Sequence, residues 1–172
     1  AREIAARIED QEILLETMNN LGELALRRGA PAEAVPRFQE ALSLADGLES
    51  NGKRAVVLHN LATAQLRSGR LAAARPRLEE AREINVRLER WGELAANLYM
   101  LGSLEAREGN LSAARDLLAA ALENDKRMEN SGGIARDLMA LGLVERRLDN
   151  YEEALDFLER SLQLHVTRND VD

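Results

Sequence analysis

Four arginines recur at a spacing of forty residues: Arg27, Arg67, Arg107 and Arg147. A guanidinium group binds carboxylates and phosphates through paired, charge-assisted hydrogen bonds, so this row could bind an acidic segment of a partner. The chain carries a formal net charge of −7, so a basic composition does not explain the row. The alternative is structural, because the helix dipole favours a cation in the last turn of a helix. The sequence leaves both interpretations open.

Asparagine follows the same spacing at Asn20 and Asn60, whereas Met100 and Ala140 occupy the two later positions. A side-chain amide offers both a donor and an acceptor, which suits the backbone of an extended peptide. The alternative is a polar helix face that is simply solvated.

Residues that usually carry catalysis or bind metals are sparse. His59 and His165 are the only histidines, neither has a partner at metal-ligand spacing, and the chain contains no cysteine. The glycines are isolated and do not form a phosphate-binding loop. Acidic pairs such as Glu79 and Glu80 are expected on outward helix faces, where no burial shifts a pKa. We therefore expect no enzymatic activity, no metal ion and no cofactor.

The charge balance narrows the class of partner. A net charge of −7 disfavours nucleic acids and anionic membrane surfaces, both of which attract basic proteins. No apolar run approaches the length of roughly 18 residues that a membrane-spanning helix needs. The absence of cysteine suits a reducing compartment, so we expect a cytoplasmic protein. The expected partner is a protein or a peptide.

A forty-residue repeat positions these side chains. Four columns of the aligned repeats are constant or nearly so: Leu21, Leu61, Leu101 and Leu141; Ala34, Ala74, Ala114 and Ala154; Gly22, Gly102 and Gly142 with Ala62; Gly29, Gly69 and Gly109 with Asp149. A fixed period in the range of about 20–50 residues is typical of solenoids, in which each repeat buries its apolar face against its neighbours. We expect the leucine column to be buried.

Each repeat is predicted to contain two helices. In the third repeat Leu94, Leu98 and Leu101 follow the spacing of one helix face, and Gly109 provides a helix stop. First helices are predicted near residues 13–28, 53–68, 93–108 and 133–148, and second helices near 31–49, 71–89, 111–129 and 151–167. Gly102 and Ala114 are small where the helix axes are expected to cross closely.

The order of the small and large residues resembles the tetratricopeptide repeat. In the third repeat the matching residues are Leu101, Gly102, Gly109, Ala114, Leu118 and Ala121, and the other repeats match in the same columns. The resemblance covers nearly the whole chain. It implies an all-α fold, a right-handed superhelical solenoid of antiparallel helix hairpins.

Two departures from the family pattern indicate a subclass with long helices. The aromatic residue of the first helix is replaced by Ala25, Gln65, Glu105 and Glu145. The proline that ends the second helix is replaced by Asp46, Val86, Lys126 and Val166. The repeat is accordingly longer than the usual ~34 residues. It is similar to repeats of kinesin light chains, of spindle-orienting adaptors and of the sensor arms of bacterial signalling ATPases and regulators.

We expect one solenoid domain over residues 1–172. Residues 1–11 are predicted to end a preceding repeat, because Ile8 shares a column with Leu48, Leu88 and Met128. Four repeats are then predicted at residues 12–51, 52–91, 92–131 and 132–171. The chain is expected to be a fragment of a longer array.

The resemblance implies that the first helices line a concave groove that binds peptides. The groove positions are Asn19, Asn20, Glu23 and Arg27; His59, Asn60, Thr63 and Arg67; Tyr99, Ser103 and Arg107; and Met139, Leu143 and Arg147. The groove is polar in the first two repeats and more apolar in the last two.

The function implied by the resemblance is a protein–protein interaction scaffold that binds a peptide or partner domain, with an acidic segment as an expected feature of the partner. The alternative is a regulatory or sensor arm of a larger bacterial signalling or transcription-regulator protein. A third interpretation is self-association through exposed solenoid ends.

Overall fold

The computed structural model describes residues 2–169, and the side chains of residues 6–167. This part of the chain is all-α and contains no strand. The helices are α1 (Arg2–Arg27), α2 (Pro31–Gly47), α3 (Asn51–Arg67), α4 (Leu71–Arg87), α5 (Trp91–Glu108), α6 (Leu111–Arg127), α7 (Ser131–Arg147) and α8 (Tyr151–Asn169). Each predicted helix is present, and most bounds agree to within two residues.

The chain divides into two compact units, residues 1–88 and residues 89–172. In unit 1, α1 pairs with α2, α3 pairs with α4, and α2 packs on α3. Unit 2 repeats this arrangement with α5 to α8. In each unit the two first helices also touch, α1 with α3 and α5 with α7. The single domain over residues 1–172 stays a prediction, and Ala1 and residues 170–172 lie outside the described residues.

Left-handed residues end the first helix of each hairpin. Gly29, Gly69 and Gly109 have φ of 76°, 76° and 91°, and Asp149 has φ of 63°. Glycine adopts this conformation without the clash that a β-carbon causes, and aspartate tolerates it better than most residues. The helix stops predicted at the three glycines are confirmed, and Asp149 adopts the same conformation after α7.

The turns between hairpins use glutamate in the same conformation. Glu49 and Glu129 have φ of 50° and 52° and separate α2 from α3 and α6 from α7. Glu9 occupies the same column but lies inside α1, so the helix start predicted near residue 13 is wrong. A left-handed glutamate costs about 1–2 kcal/mol, which packing between two hairpins offsets. No described hairpin packs before α1, and the helix continues through Glu9.

Close helix contact explains the glycines of the leucine–glycine motif. A β-carbon on Gly22 would lie 2.5 Å from Phe38 Cε1, and one on Gly102 would lie 2.8 Å from Leu118 Cγ. A β-carbon on Gly142 would likewise lie 2.7 Å from Leu158 Cγ. The predicted close crossing of the paired helices is confirmed.

The core of each unit lies between its hairpins. Leu61 joins Phe38 in the core of unit 1, and Leu141 joins Leu118 in that of unit 2. The alanine column is buried throughout, with exposed fractions of 0–3%. Leu21 departs from the expected burial and is 41% exposed. Its face of α1 is not covered by another helix of unit 1.

Candidate binding groove

The predicted groove residues of unit 1 form a polar cluster between α1 and α3. Asn60 Nδ2 donates to Asn19 Oδ1 at 2.9 Å and to Glu23 Oε1 at 3.1 Å. Asn19 Nδ2 donates to the same Glu23 oxygen at 2.8 Å. These side chains therefore satisfy one another, and a ligand would have to replace bonds that already exist.

The remaining positions of unit 1 surround this cluster. Asn20 is exposed, and the Thr63 hydroxyl donates to the His59 carbonyl of its own helix at 3.0 Å. Asn20 lines two shallow cavities, of about 200 and 270 Å³. Lys53 at the edge of the first cavity bonds Glu16 at 3.1 Å, which raises the pKa of the lysine.

In unit 2 a more apolar pocket lies between α5 and α7. Its volume is about 350 Å³. The lining residues are Tyr99, Ser103, Ala106, Arg107, Leu118, Met139, Ala140, Leu143, Val144, Arg146 and Arg147. The structure thus brings together all six groove residues predicted on α5 and α7. Met139 and Leu143 remain more than 40% exposed, so apolar surface is open to solvent here.

The arginine column has a structural use that the sequence did not indicate. Arg67 Nη1 donates to the Leu26 carbonyl at 3.2 Å, and Arg147 Nη1 donates to the Ala106 carbonyl. Each arginine thereby adds a second hydrogen bond to a carbonyl in the last turn of the preceding first helix of its unit, which already accepts from the glycine three residues later. Arg27 is 82% exposed and lies 4.0 Å from Glu23. Arg107 lines the pocket of unit 2.

The polar residues that replace the family's aromatic also have a structural role. Asn110 Nδ2 donates to Glu105 Oε2 at 2.8 Å, and Asn150 Nδ2 donates to Glu145 Oε2 at 2.7 Å. Each bond crosses the turn between the two helices of a hairpin. The matching spacing of Glu and Asn in the last two repeats was the sequence signal for these bonds.

Sequence reasoning missed a buried acidic pair between α6 and α7. Asp125 and Asp137 are 1% and 0% exposed. Arg136 Nη2 lies 3.2 Å from Asp125 Oδ2 and 3.3 Å from Asp137 Oδ1. Burial raises the pKa of Asp137 to about 7, with Arg136 opposing the shift and Asp125 adding to it. The Arg136 guanidinium also stacks 4.2 Å above the ring of Tyr99 in the pocket.

Among the described side chains, no three histidine, aspartate or glutamate residues group to hold a metal ion. None of the described helices has the length and apolarity to cross a bilayer.

Three solved structures show the same fold. BtubC (BKLC) from P. vanneervenii aligns with a TM-score of 0.82 at 21% identity, over 92% of this chain and 66% of that chain. The apo form of RapI aligns at 0.84 with 16% identity, over 91% and 57%. MamA aligns at 0.69 with 18% identity, over 91% and 81%. At these identities the likeness concerns the fold alone, and this chain spans about two thirds of BtubC and just over half of RapI.

A search of curated proteins gave no significant match. The tetratricopeptide repeat family model, in contrast, matches three overlapping segments, residues 15–85, 53–127 and 93–165. The matches cover most of the chain and agree with the helix hairpins and the left-handed turns described above. The chain therefore belongs to the tetratricopeptide repeat family.

Proposed function

We propose that the first-helix face of this protein is a scaffold surface that binds a peptide or a partner domain, and that unit 2 provides the main contact. The pocket between α5 and α7 carries this proposal. It is large enough for one apolar side chain and presents Tyr99, Met139 and Leu143 to solvent. Exposed apolar surface of this kind, bordered by polar residues, is typical of protein interaction sites.

The charge of the pocket indicates the chemistry of the ligand. Arg107, Arg146 and Arg147 line it, and none of its described lining residues is acidic. An apolar residue bound in the pocket would place neighbouring carboxylates near these guanidinium groups. The expected ligand is therefore a segment with an apolar anchor beside acidic residues. The rest of the chain is acidic, so it would repel such a segment elsewhere.

Unit 1 supports a weaker, polar contact. Asn19, Glu23 and Asn60 already bond one another, so a ligand gains little by replacing those bonds. Asn20 is exposed and can donate to a peptide backbone. We infer that unit 1 orients a partner and adds less to affinity than unit 2.

The proposed role involves no reaction and no cofactor, in line with a fold family of interaction scaffolds. The proposed compartment is the cytoplasm, since a chain without cysteine suits a reducing environment.

A peptide selection tests the proposed function. Peptides selected from a random library on the 172-residue chain are expected to contain leucine, methionine or phenylalanine next to aspartate or glutamate. Arg107→Glu should weaken the binding of these peptides at least about tenfold, because it replaces a charge-assisted contact by repulsion. Fluorescence anisotropy measures the change.

Arg115→Glu is the matched control, because it makes the same charge change on α6 at an exposed residue that does not line the pocket. Selected peptides without acidic residues, or equal losses in the two variants, would contradict the proposed site.

We also infer that exposed helix faces allow self-association. Leu21 and Leu24 on α1 are exposed, as are Leu155 and Leu162 on α8. Leu61 and Leu122 occupy the columns of Leu21 and Leu162 one repeat inward, and both are buried by neighbouring helices of the same unit. A second copy of the chain could cover these faces in the same way.

A further inference from the structure

The acidic pair in unit 2 contains more negative charge than its surroundings neutralise. Two carboxyl groups, Asp125 and Asp137, face one guanidinium group, that of Arg136. Asp125 also accepts a hydrogen bond from Asn130 Nδ2 at 2.8 Å. The Asp137 Oδ2 atom is buried and has no hydrogen-bond partner. A buried, unpartnered oxygen of an ionised carboxylate is strongly unfavourable, and a proton on this group removes the cost.

Gly133 and Asn130 accommodate the Asp125 carboxylate. A β-carbon at Gly133 would lie 2.0 Å from Asp125 Oδ2, so a glycine is required for the carboxylate to occupy this position. The two preceding repeats have Lys53 and Glu93 in the Gly133 column. Asn130 caps α7 by accepting from Gly133 N at 3.2 Å while it donates to Asp125. The glycine and its acidic neighbour therefore belong to one local arrangement.

We propose that Asp125 and Asp137 share one buried proton, and that this proton sets the affinity of the unit 2 pocket for acidic peptides. With the proton present, the pair and Arg136 are neutral together. Without it, they carry one negative charge beneath the pocket. The effect on the pocket rests on the proposed function, whereas the shared proton rests on the packing alone.

Arg136 connects the acidic pair to the pocket. Its guanidinium lies 4.2 Å above the ring of Tyr99, which lines the pocket. The charged groups facing Asp137 are Arg136 on its own helix and Asp125 on α6. On α5 the Tyr99 ring contacts Arg136, and on α8 the Ser161 hydroxyl donates to the Ala135 carbonyl at 2.7 Å. Loss of the proton therefore changes the charge directly behind the Tyr99 wall of the pocket.

The sign of the stability effect follows from the pKa of Asp137. Its ordinary value is 3.8 and burial raises it to about 7. Between these values the folded chain holds a proton that the unfolded chain has released. The free energy of unfolding therefore falls as the pH rises through this window and levels off above about 7.

The chain itself supplies the control substitution. Asn85 and Asn97 occupy the columns of Asp125 and Asp137 one repeat earlier, and both are buried. Asp137→Asn therefore introduces a residue that the fold accepts at this position. The double variant Asp125→Asn with Asp137→Asn places asparagine in both columns and serves if the single variant folds poorly.

The first measurement is urea unfolding followed by Trp91 fluorescence, since Trp91 is the only tryptophan and lies in unit 2. The urea concentration at the unfolding midpoint of the wild type should decrease as the pH is raised from about 5 to about 7.5. The midpoint of Asp137→Asn should decrease less. Equal pH dependence in the two proteins would overturn the shared proton. Both proteins keep His59 and His165, so histidine titration cancels in the comparison.

The second measurement is the binding of a fluorescein-labelled peptide of alternating glutamate and leucine, whose carboxylates stay ionised above about pH 5.5. The wild type should bind roughly three- to tenfold more tightly at about pH 5.5 than at about pH 8.5, and Asp137→Asn should bind tightly at both. The same pH dependence in both proteins would overturn the link to the pocket. If neither protein binds the peptide at any pH, the proposed function fails, and the unfolding data alone decide the shared proton.

Discussion

At the scale of single residues, packing around Gly102 leaves no space for a side chain. A β-carbon there would meet Leu118 Cγ at 2.8 Å and the backbone oxygen of Ala114 at 3.2 Å. The leucine could rotate away, but the backbone oxygen cannot move without shifting α6 relative to α5. The glycine therefore sets the distance between the two helices, and through it the width of the hairpin that carries Tyr99 and Arg107.

We predict that Gly102→Ala lowers the free energy of unfolding by about 1–3 kcal/mol, because the added methyl group overpacks the helix crossing. Urea unfolding measures the change. Gly92→Ala on the same helix is the control, because nothing lies within 4 Å of a β-carbon there. Alanine favours the helix, so this control should be neutral or stabilising by up to about 1 kcal/mol. A smaller loss at Gly102 than at Gly92 would contradict the close crossing.

Some of these single residues could be predicted from the sequence and others could not. Gly102 and Ala114 were recognisable because they recur in register and belong to a motif. Asp125 and Asp137 were not, since each has different residues in its column and only folding brings the two together. The bonds of Arg67 and Arg147 to backbone carbonyls also required coordinates, because a sequence does not show where a carbonyl points.

At the scale of helices and turns, left-handed residues define where each helix stops. Gly29, Gly69 and Gly109 were predictable, because glycine in a fixed column is a helix-stop signal. The left-handed glutamates at 49 and 129 were not, since glutamate has no preference for that conformation. The start of α1 was predicted wrongly because the forty-residue period places a turn before residue 13, whereas the helix runs from Arg2 to Arg27.

We predict that Gly69→Ala costs about 1–2 kcal/mol, because its φ of 76° is strained for any residue with a β-carbon. Space is not the cause, as nothing lies within 4 Å of the added atom. Gly47→Ala is the matched control. It also has open space but lies within α2, and it should be neutral or stabilising by up to about 1 kcal/mol. Thermal unfolding of both variants measures the difference, and equal melting temperatures would argue against backbone strain.

At the scale of the whole molecule, apolar side chains on α1 and α8 are exposed, and the proposed self-association would use these faces. We predict that the sedimentation coefficient rises with protein concentration, because a second copy can cover these faces. Leu155→Lys with Leu162→Lys should abolish the rise, since both residues are more than half exposed on α8. Leu143→Lys, which places the same charge in the unit 2 pocket, is the control and should leave association intact. A constant sedimentation coefficient in the wild type would exclude this mode.

The buried pair at the hairpin contact within each unit also distinguishes one hairpin from another. Ala45 and Val57 lie together in the apolar core of unit 1, whereas Asp125 and Asp137 face each other in unit 2. If the α7–α8 hairpin followed α2, Asp137 would meet Ala45 and lose both its carboxyl partner and the cap at Asn130. Near-identical segments of one chain are prone to misregistered pairing as they fold, and this mismatch would penalise the wrong neighbour. The stacking order of the hairpins is thus encoded at a few interior positions, while the outer surfaces of the repeats remain free to diverge.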